Sequence, residues 1–197
     1  ASDVYKRQSE GKSPIIFRPE QADAIRKTIK QFKTGNQMLW NAKMRFGKTL
    51  TALQVAKECE FEHILILTHR PVVSVGWYED FEKIFYDTDY VFGSKTKGED
   101  INNLIDTDKK FVYFASMQDL RGSDAVGGKF DKNDEIFLTK WDFVVIDEAH
   151  EGTLTKLGQA VIDTINEFSD SPKILRLSGT PFNLLDKFKE EEIYTWD

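Results

Sequence analysis

The chain has 197 residues, 40% hydrophobic and 30% charged, with a net charge of −6. That is enough for one well-buried domain and too little for two of ordinary size. No run approaches the roughly eighteen apolar residues of a membrane span, and the acidic balance excludes a global basic field, so any nucleic-acid contact must be local.

Residues 1–13 are polar and without periodicity, which predicts a flexible lead-in to a single domain over residues 14–197. The first eight, ASDVYKRQ, look like a translated sequencing-adapter scar and are set aside; no apolar signal core is present. After Pro19, which suits a first helical position because its missing N–H costs nothing there, Ala22, Ala24, Ile25 and Ile29 recur at helical spacing. Gln21 falls in that first turn. It is either a solvent-facing glutamine or an amide that bonds the adenine edge, which would select ATP over GTP.

Residues 42–49, AKMRFGKT, fit the phosphate-binding pattern with Ala42 in place of the first glycine. The pattern requires a strand to stop, a loop to turn its backbone N–H groups inward, and a helix to begin with its positive dipole end toward the phosphates. Gly47 lets the backbone come close, Lys48 reaches the terminal phosphates, and the Thr49 hydroxyl is placed to ligate Mg²⁺. The flanks agree: residues 37–40 (QMLW) read as a buried strand, and Leu50, Leu53, Val55 and Ala56 as the apolar face of a helix from Lys48. Cys59, the single cysteine, reads as a residue of that helix; it excludes an internal disulfide and fits a reducing cytoplasm.

Further along, residues 64–67 (ILIL) form a continuous apolar run, expected of a strand covered on both faces in a parallel sheet. His69 and Arg70 follow at its carboxyl end, the edge where open α/β sheets bind ligands. Arg70 is either a surface loop residue or a phosphate-backbone contact. Pro71 opens a helix carrying Val72, Val75, Trp77, Tyr78, Phe81 and Ile84. Residues 91–92 are a weaker strand candidate, 101–105 a short helix and 111–115 (FVYFA) another buried strand, ending in Ser116-Met117-Gln118. Residues 121–134, rich in Gly and Asp, read as an exposed loop, with a disordered insertion as the plain account.

Residues 143–146 (FVVI) lead directly into Asp147-Glu148-Ala149-His150. By itself an acidic pair after a strand is an ordinary helix cap. Behind a phosphate loop it is the second half of a P-loop ATPase, with Asp147 holding the Mg²⁺ hydration shell and Glu148 orienting and deprotonating the attacking water. At least two strand candidates separate the loop from the acids, which argues for the additional-strand branch of P-loop proteins. A helix through Leu154, Leu157, Ala160, Val161, Ile165 and Phe168 precedes a last strand, residues 174–177. That strand ends in Ser178-Gly179-Thr180-Pro181, either a turn or hydroxyls that report the nucleotide state.

With these pieces in order, the chain resembles the first RecA-like domain of superfamily-two DEAD/DEAH-type helicases and translocases. FRPEQ matches the adenine-reading element, AKMRFGKT motif I, ILTHR motif Ia, FASMQDLRG the Ib region, DEAH motif II and LSGTPF motif III. Within that superfamily the wording is similar to the type III restriction enzyme helicase subunit. The resemblance implies an α/β three-layer sandwich with a mainly parallel sheet, the RecA-like P-loop NTPase fold. It implies ATP and Mg²⁺ as cofactors, bound through Arg18, Gln21, Ala42, Lys43, Met44, Arg45, Phe46, Gly47, Lys48 and Thr49, with Thr49 and Asp147 as metal ligands. Lys48, Asp147 and Glu148 would be catalytic, His150, Ser178 and Thr180 would couple chemistry to domain movement, and Thr68, Arg70 and Ser116 would touch nucleic acid.

One departure is Arg45-Phe46, where many relatives carry smaller residues including another glycine. The motifs of a second RecA-like domain are also missing, so the 197 residues alone are expected to bind MgATP weakly and hydrolyse it barely. The leading expectation is therefore the motor domain of a cytoplasmic DNA translocase in a restriction system, acting on double-stranded DNA beside a methyltransferase or specificity subunit. The competing expectation is an ATP-driven protein remodeller that uses no nucleic acid.

Overall fold

The computed structural model describes residues 15–43, 46–69, 74–95, 98–147, 152–178 and 185–196. The first helix, α1 (Pro19–Phe32), starts at the proline and leads into β1 (Gln37–Ala42), and α2 (Lys48–Glu58) is the next element. Then come β2 (His63–Thr68), α3 (Ser74–Phe85), β3 (Val91–Ser94), α4 (Ile101–Asp106), β4 (Phe111–Ser116) and the single turn α5 (Met117–Leu120). After a 3₁₀ turn (Asp124–Val126), α6 (Asp134–Leu138) precedes β5 (Phe143–Asp147), α7 (Gly152–Phe168) and β6 (Lys173–Ser178). Two further 3₁₀ turns (Leu185–Lys187 and Glu190–Glu192) lead to β7 (Ile193–Trp196).

The seven strands form one sheet in the order β3-β4-β2-β5-β6-β1-β7, and every pairing is parallel. The continuous apolar runs follow from this, because both faces of the sheet are covered. In β2, Ile64 and Ile66 pack with α1, α2 and α3, while Leu65 and Leu67 pack on the opposite face with α4 to α7. The first layer buries Ala24, Phe32, Leu53, Trp77 and Phe81, and the second buries Met117, Phe137, Val161 and Ile165. The polar end of the fully buried Trp40 is satisfied: its indole N–H, on β1, donates to Thr28 Oγ1 of α1 at 2.8 Å. The result is the three-layer α/β sandwich that the sequence predicts. Strand β6 lies between β1 and β5, so an added strand does separate the phosphate loop from the acidic strand.

Two elements differ from the sequence reading. Strand β7 was not foreseen and extends the sheet beyond β1, pairing Leu39–Ala42 with Ile193–Trp196. Residues 121–134 are mostly exposed, as the sequence predicts, but ordered rather than a disordered insertion: Ser123 and Asn133 are buried, and Ala125 and Val126 lie against the second core layer. The physical reason is the Asn133 amide, which donates to the Asp119 carbonyl at 3.0 Å and to Ser123 Oγ at 2.9 Å, tying the two ends of the loop together.

Candidate nucleotide site

All seven strands point the same way, so their carboxyl ends share one edge, which is where open α/β sheets place ligands. Along it the register aligns Ser116 with Thr68 and Thr68 with Asp147, and sets Asn41 opposite Ser178 on the other side of β6. Ala42 closes β1 and is fully buried, while Lys43 turns outward. Gly47 then adopts φ +77°, a left-handed conformation that side chains disfavour, and caps α2. Its carbonyl accepts from the Thr51 N–H at 3.1 Å and from Thr51 Oγ1 at 2.7 Å, closing the first turn.

The loop is anchored by Phe46, which is fully buried. Its ring packs against Trp40 at 5.9 Å, Tyr194 at 6.1 Å and Trp196 at 5.4 Å. The large residue at this loop position is thus the plug of an aromatic pocket built by β1 and β7. Its carbonyl receives two donors, Arg18 Nη2 at 2.6 Å and Gln21 Nε2 at 2.7 Å. The other end of the Gln21 amide, Oε1, accepts from the Arg18 backbone N–H at 2.9 Å. One N–H and one lone pair of that amide are left over, the complement an adenine edge needs. The Arg18 guanidinium lies 5.7 Å over the Trp196 ring, within cation–π range, and its Nε pairs with Glu20 at 3.3 Å. Tyr194 and Trp196 belong to the site through Phe46 and Arg18, yet nothing in the short segment IYTW marks them as such.

Lys48 and Thr49 open α2. The Thr49 hydroxyl donates to Asp80 of α3, a carboxylate the sequence did not single out. Burial pushes the Asp80 carboxyl above its ordinary value, opposed by that hydrogen bond and by the nearby Lys83 charge. Asp147, at the end of β5, is also raised by burial, while the positive charges of Lys48 and His69 pull it back down. Lys48, at the start of α2, thus lies within electrostatic reach of Asp147 although β6 stands between β1 and β5. Together the site offers an ammonium, hard oxygen donors from Thr49 and Asp147, and a helix N-terminus beside a glycine cradle. That set fits a nucleotide phosphate with a divalent cation.

Of the other expected residues, Thr68, Ser116 and Ser178 are buried at the strand ends, and the Ser116 hydroxyl accepts from the Asp119 N–H, capping α5. Met44, Arg45, Arg70, Glu148, His150 and Thr180 lie outside the described residues.

The fold and this edge define a RecA-like, helicase-type ATPase domain. Residues 14–183 match the family of the type III restriction enzyme res subunit, and the chain belongs to that family. A curated relative from Mycoplasma pneumoniae, "Putative type II restriction enzyme and methyltransferase RM.MpnORF110P C-terminus", is 30% identical over 173 residues. That match takes in 82% of this chain but 24% of the relative. Among solved structures, the Sulfolobus solfataricus SWI2/SNF2 ATPase core in complex with dsDNA aligns with a TM-score of 0.64 at 19% identity, over 91% of this chain and 35% of that one. The nuclease-deletion mutant of the type ISP restriction-modification enzyme LlaGI, in complex with a DNA substrate mimic, aligns at 0.63 and 17% identity, over 93% and 20%. The UvsW helicase from bacteriophage T4 aligns at 0.61 and 17% identity, over 92% and 60%. Among the described residues no helix is long and apolar enough to cross a membrane.

Proposed function

We propose that this chain is the ATP-binding motor domain of a nucleic-acid-dependent ATPase, a cytoplasmic DNA translocase of a restriction system. The observation that carries the reading is the placement, at the carboxyl edge of one parallel sheet, of the left-handed Gly47 with Lys48 and Thr49 opening α2 after β1, and of Asp147 ending β5 with β6 between them. Lys48 holds the terminal phosphates, Thr49 and Asp147 supply oxygen ligands to the cation, and Glu148 takes the proton of the attacking water. When bound, Mg²⁺ supplies charge neutralisation on the phosphates. Gln21 and Arg18 meet the base, while Ala42, Lys43, Met44, Arg45, Phe46 and Gly47 shape the cradle. His150, Ser178 and Thr180 link the site to movement of a second RecA-like domain, which completes the cleft. Residues 14–197 would form the first such domain, binding MgATP weakly and turning it over slowly on their own.

The family assignment supports a restriction role. The DNA complexes among the structural relatives support double-stranded DNA as the track, and the name of the curated relative supports a methyltransferase partner. Thr68, Arg70 and Ser116 are the residues of this reading that meet nucleic acid, Thr68 and Ser116 being the last residues of β2 and β4. Contacts there go to the backbone, which positions without reading sequence, so binding is salt-sensitive and sequence-tolerant.

The deciding experiment is ATP hydrolysis by the complete native protein with and without duplex DNA, with Glu148→Gln as blank. Stimulation by duplex that the variant abolishes supports the translocase. Turnover indifferent to DNA and RNA moves the partner to protein, and unchanged turnover in the variant removes Glu148 from the base role.

A further inference from the structure

We propose that Asp80 is a positioning residue for the Thr49 hydroxyl, holding its proton so that its lone pairs face the cation; this rests on the reading of Thr49 as a metal ligand. Thr49 stands in the first turn of α2 and donates its hydroxyl hydrogen to the Asp80 carboxylate in the middle of α3. The two helices pack directly against one another, so the pair is fixed by the fold rather than by two mobile chains.

A threonine hydroxyl has one proton and two lone pairs. Ligation of a cation uses a lone pair and makes the proton more acidic, so an anionic acceptor on the proton side strengthens the oxygen as a ligand. Without it the hydroxyl can turn its proton toward the cation and present no lone pair. Such outer partners of a metal ligand commonly carry about 10- to 100-fold in metal affinity. The arrangement also ties α3 to the cation's ligand.

The test is the affinity of a fluorescent ATP analogue for the complete native protein, measured in Mg²⁺ and in EDTA. Asp80→Ala is expected to leave the EDTA affinity unchanged and to cut the gain given by Mg²⁺ by about 10-fold. Asp80→Asn keeps a neutral acceptor and is expected to lose roughly two- to threefold. The Asp80→Ala/Thr49→Ala double variant should be no worse than Thr49→Ala alone. If Asp80→Ala does not fold, the selective loss in Asp80→Asn remains the readout. Equal losses in Mg²⁺ and EDTA, no loss, or full additivity with Thr49→Ala would overturn the role of Asp80. If Thr49→Ala itself leaves the Mg²⁺ gain intact, the ligand reading falls and Asp80 with it; a loss in Thr49→Ala without one in Asp80→Ala overturns Asp80 alone.

Discussion

Gln21 occupies the space that any side chain at Gly47 would need: a Cβ built on Gly47 lies 2.6 Å from Gln21 Nε2. The first turn of α1 and the residues that lead into α2 are therefore one packed unit. Gly47→Ala should carry two separable penalties. The left-handed backbone at φ +77° costs about 1–2 kcal/mol for a residue with a Cβ. The second penalty is displacement of Gln21 from the Phe46 carbonyl. In a Gln21→Ala background only the backbone penalty should remain, so urea denaturation of the four proteins gives a non-additive cycle. Simple additivity would mean that the two residues do not share this space.

Phe46 is the residue most out of keeping with a phosphate loop read as a motif, and its burial explains it. Removing the ring empties a pocket walled by Trp40, Tyr194 and Trp196. Phe46→Ala should cost about 3–5 kcal/mol of unfolding free energy, the usual range for a buried phenylalanine, and Phe46→Leu clearly less. Because its carbonyl receives Arg18 and Gln21, the alanine variant should also weaken nucleotide binding. A loss below about 1 kcal/mol, outside that range, would show that the pocket does not anchor the loop.

What could be read from the sequence was what repeats a physical rule. Apolar runs such as ILIL and FVVI mark strands covered on both faces, and the two motifs fall at element ends, Gly47-Lys48-Thr49 between β1 and α2 and Asp147 at the close of β5. What could not be read depends on contacts between distant segments. Strand β7 is four partly exposed residues behind a run of glutamates, with neither an apolar run nor alternation to announce it. Asp80 is one of three acids on its helix, with Glu79 and Glu82, and only the packing of α3 on α2 sets it apart. The order of residues 121–134 comes from backbone hydrogen bonds within the loop and from the Asn133 amide that joins its ends, contacts that composition averages away.

That amide can be tested directly. Asn133 sits at φ +67°, a conformation asparagine tolerates better than most, and its side chain is almost wholly buried. Asp124, Asp131 and Asp134 crowd together on the loop, and the hydrogen bond with Asp131, then burial and the neighbouring charges, push the Asp134 carboxyl up. The loop is thus held against its own repulsion. Asn133→Ala should cost about 2–4 kcal/mol through lost hydrogen bonds and backbone strain, and Asn133→Gly less, since only the hydrogen bonds go. Tryptic cleavage after Lys129 and Lys132 should accelerate in that order. Equal cleavage in all three proteins would mean that the loop is closed by something other than Asn133.

The alkaline limb of stability should carry the signature of Tyr90. Its hydroxyl donates to the Phe61 carbonyl at 2.5 Å, and its pKa is pushed up to about 12, first by burial and then by Glu60, Glu62, Asp89 and Asp142. The fold therefore favours the protonated phenol. This contribution is fully present below the ordinary tyrosine value of about 10 and is lost as pH rises from there through about 12. Tyr113 shifts the same way, also chiefly by burial, and adds to the loss. Tyr90→Phe keeps the ring contact with Phe85 at 4.5 Å but leaves the Phe61 carbonyl without its donor. It should be about 1 kcal/mol less stable at neutral pH. It should also lose less than the parent between pH 10 and 12. Urea midpoints at pH 8 and pH 11, read beside phenolate absorbance, check both halves. An undiminished alkaline loss in the variant would take the limb away from Tyr90 and leave it to the other tyrosines whose pKa is raised, Tyr113, Tyr194 and Tyr78.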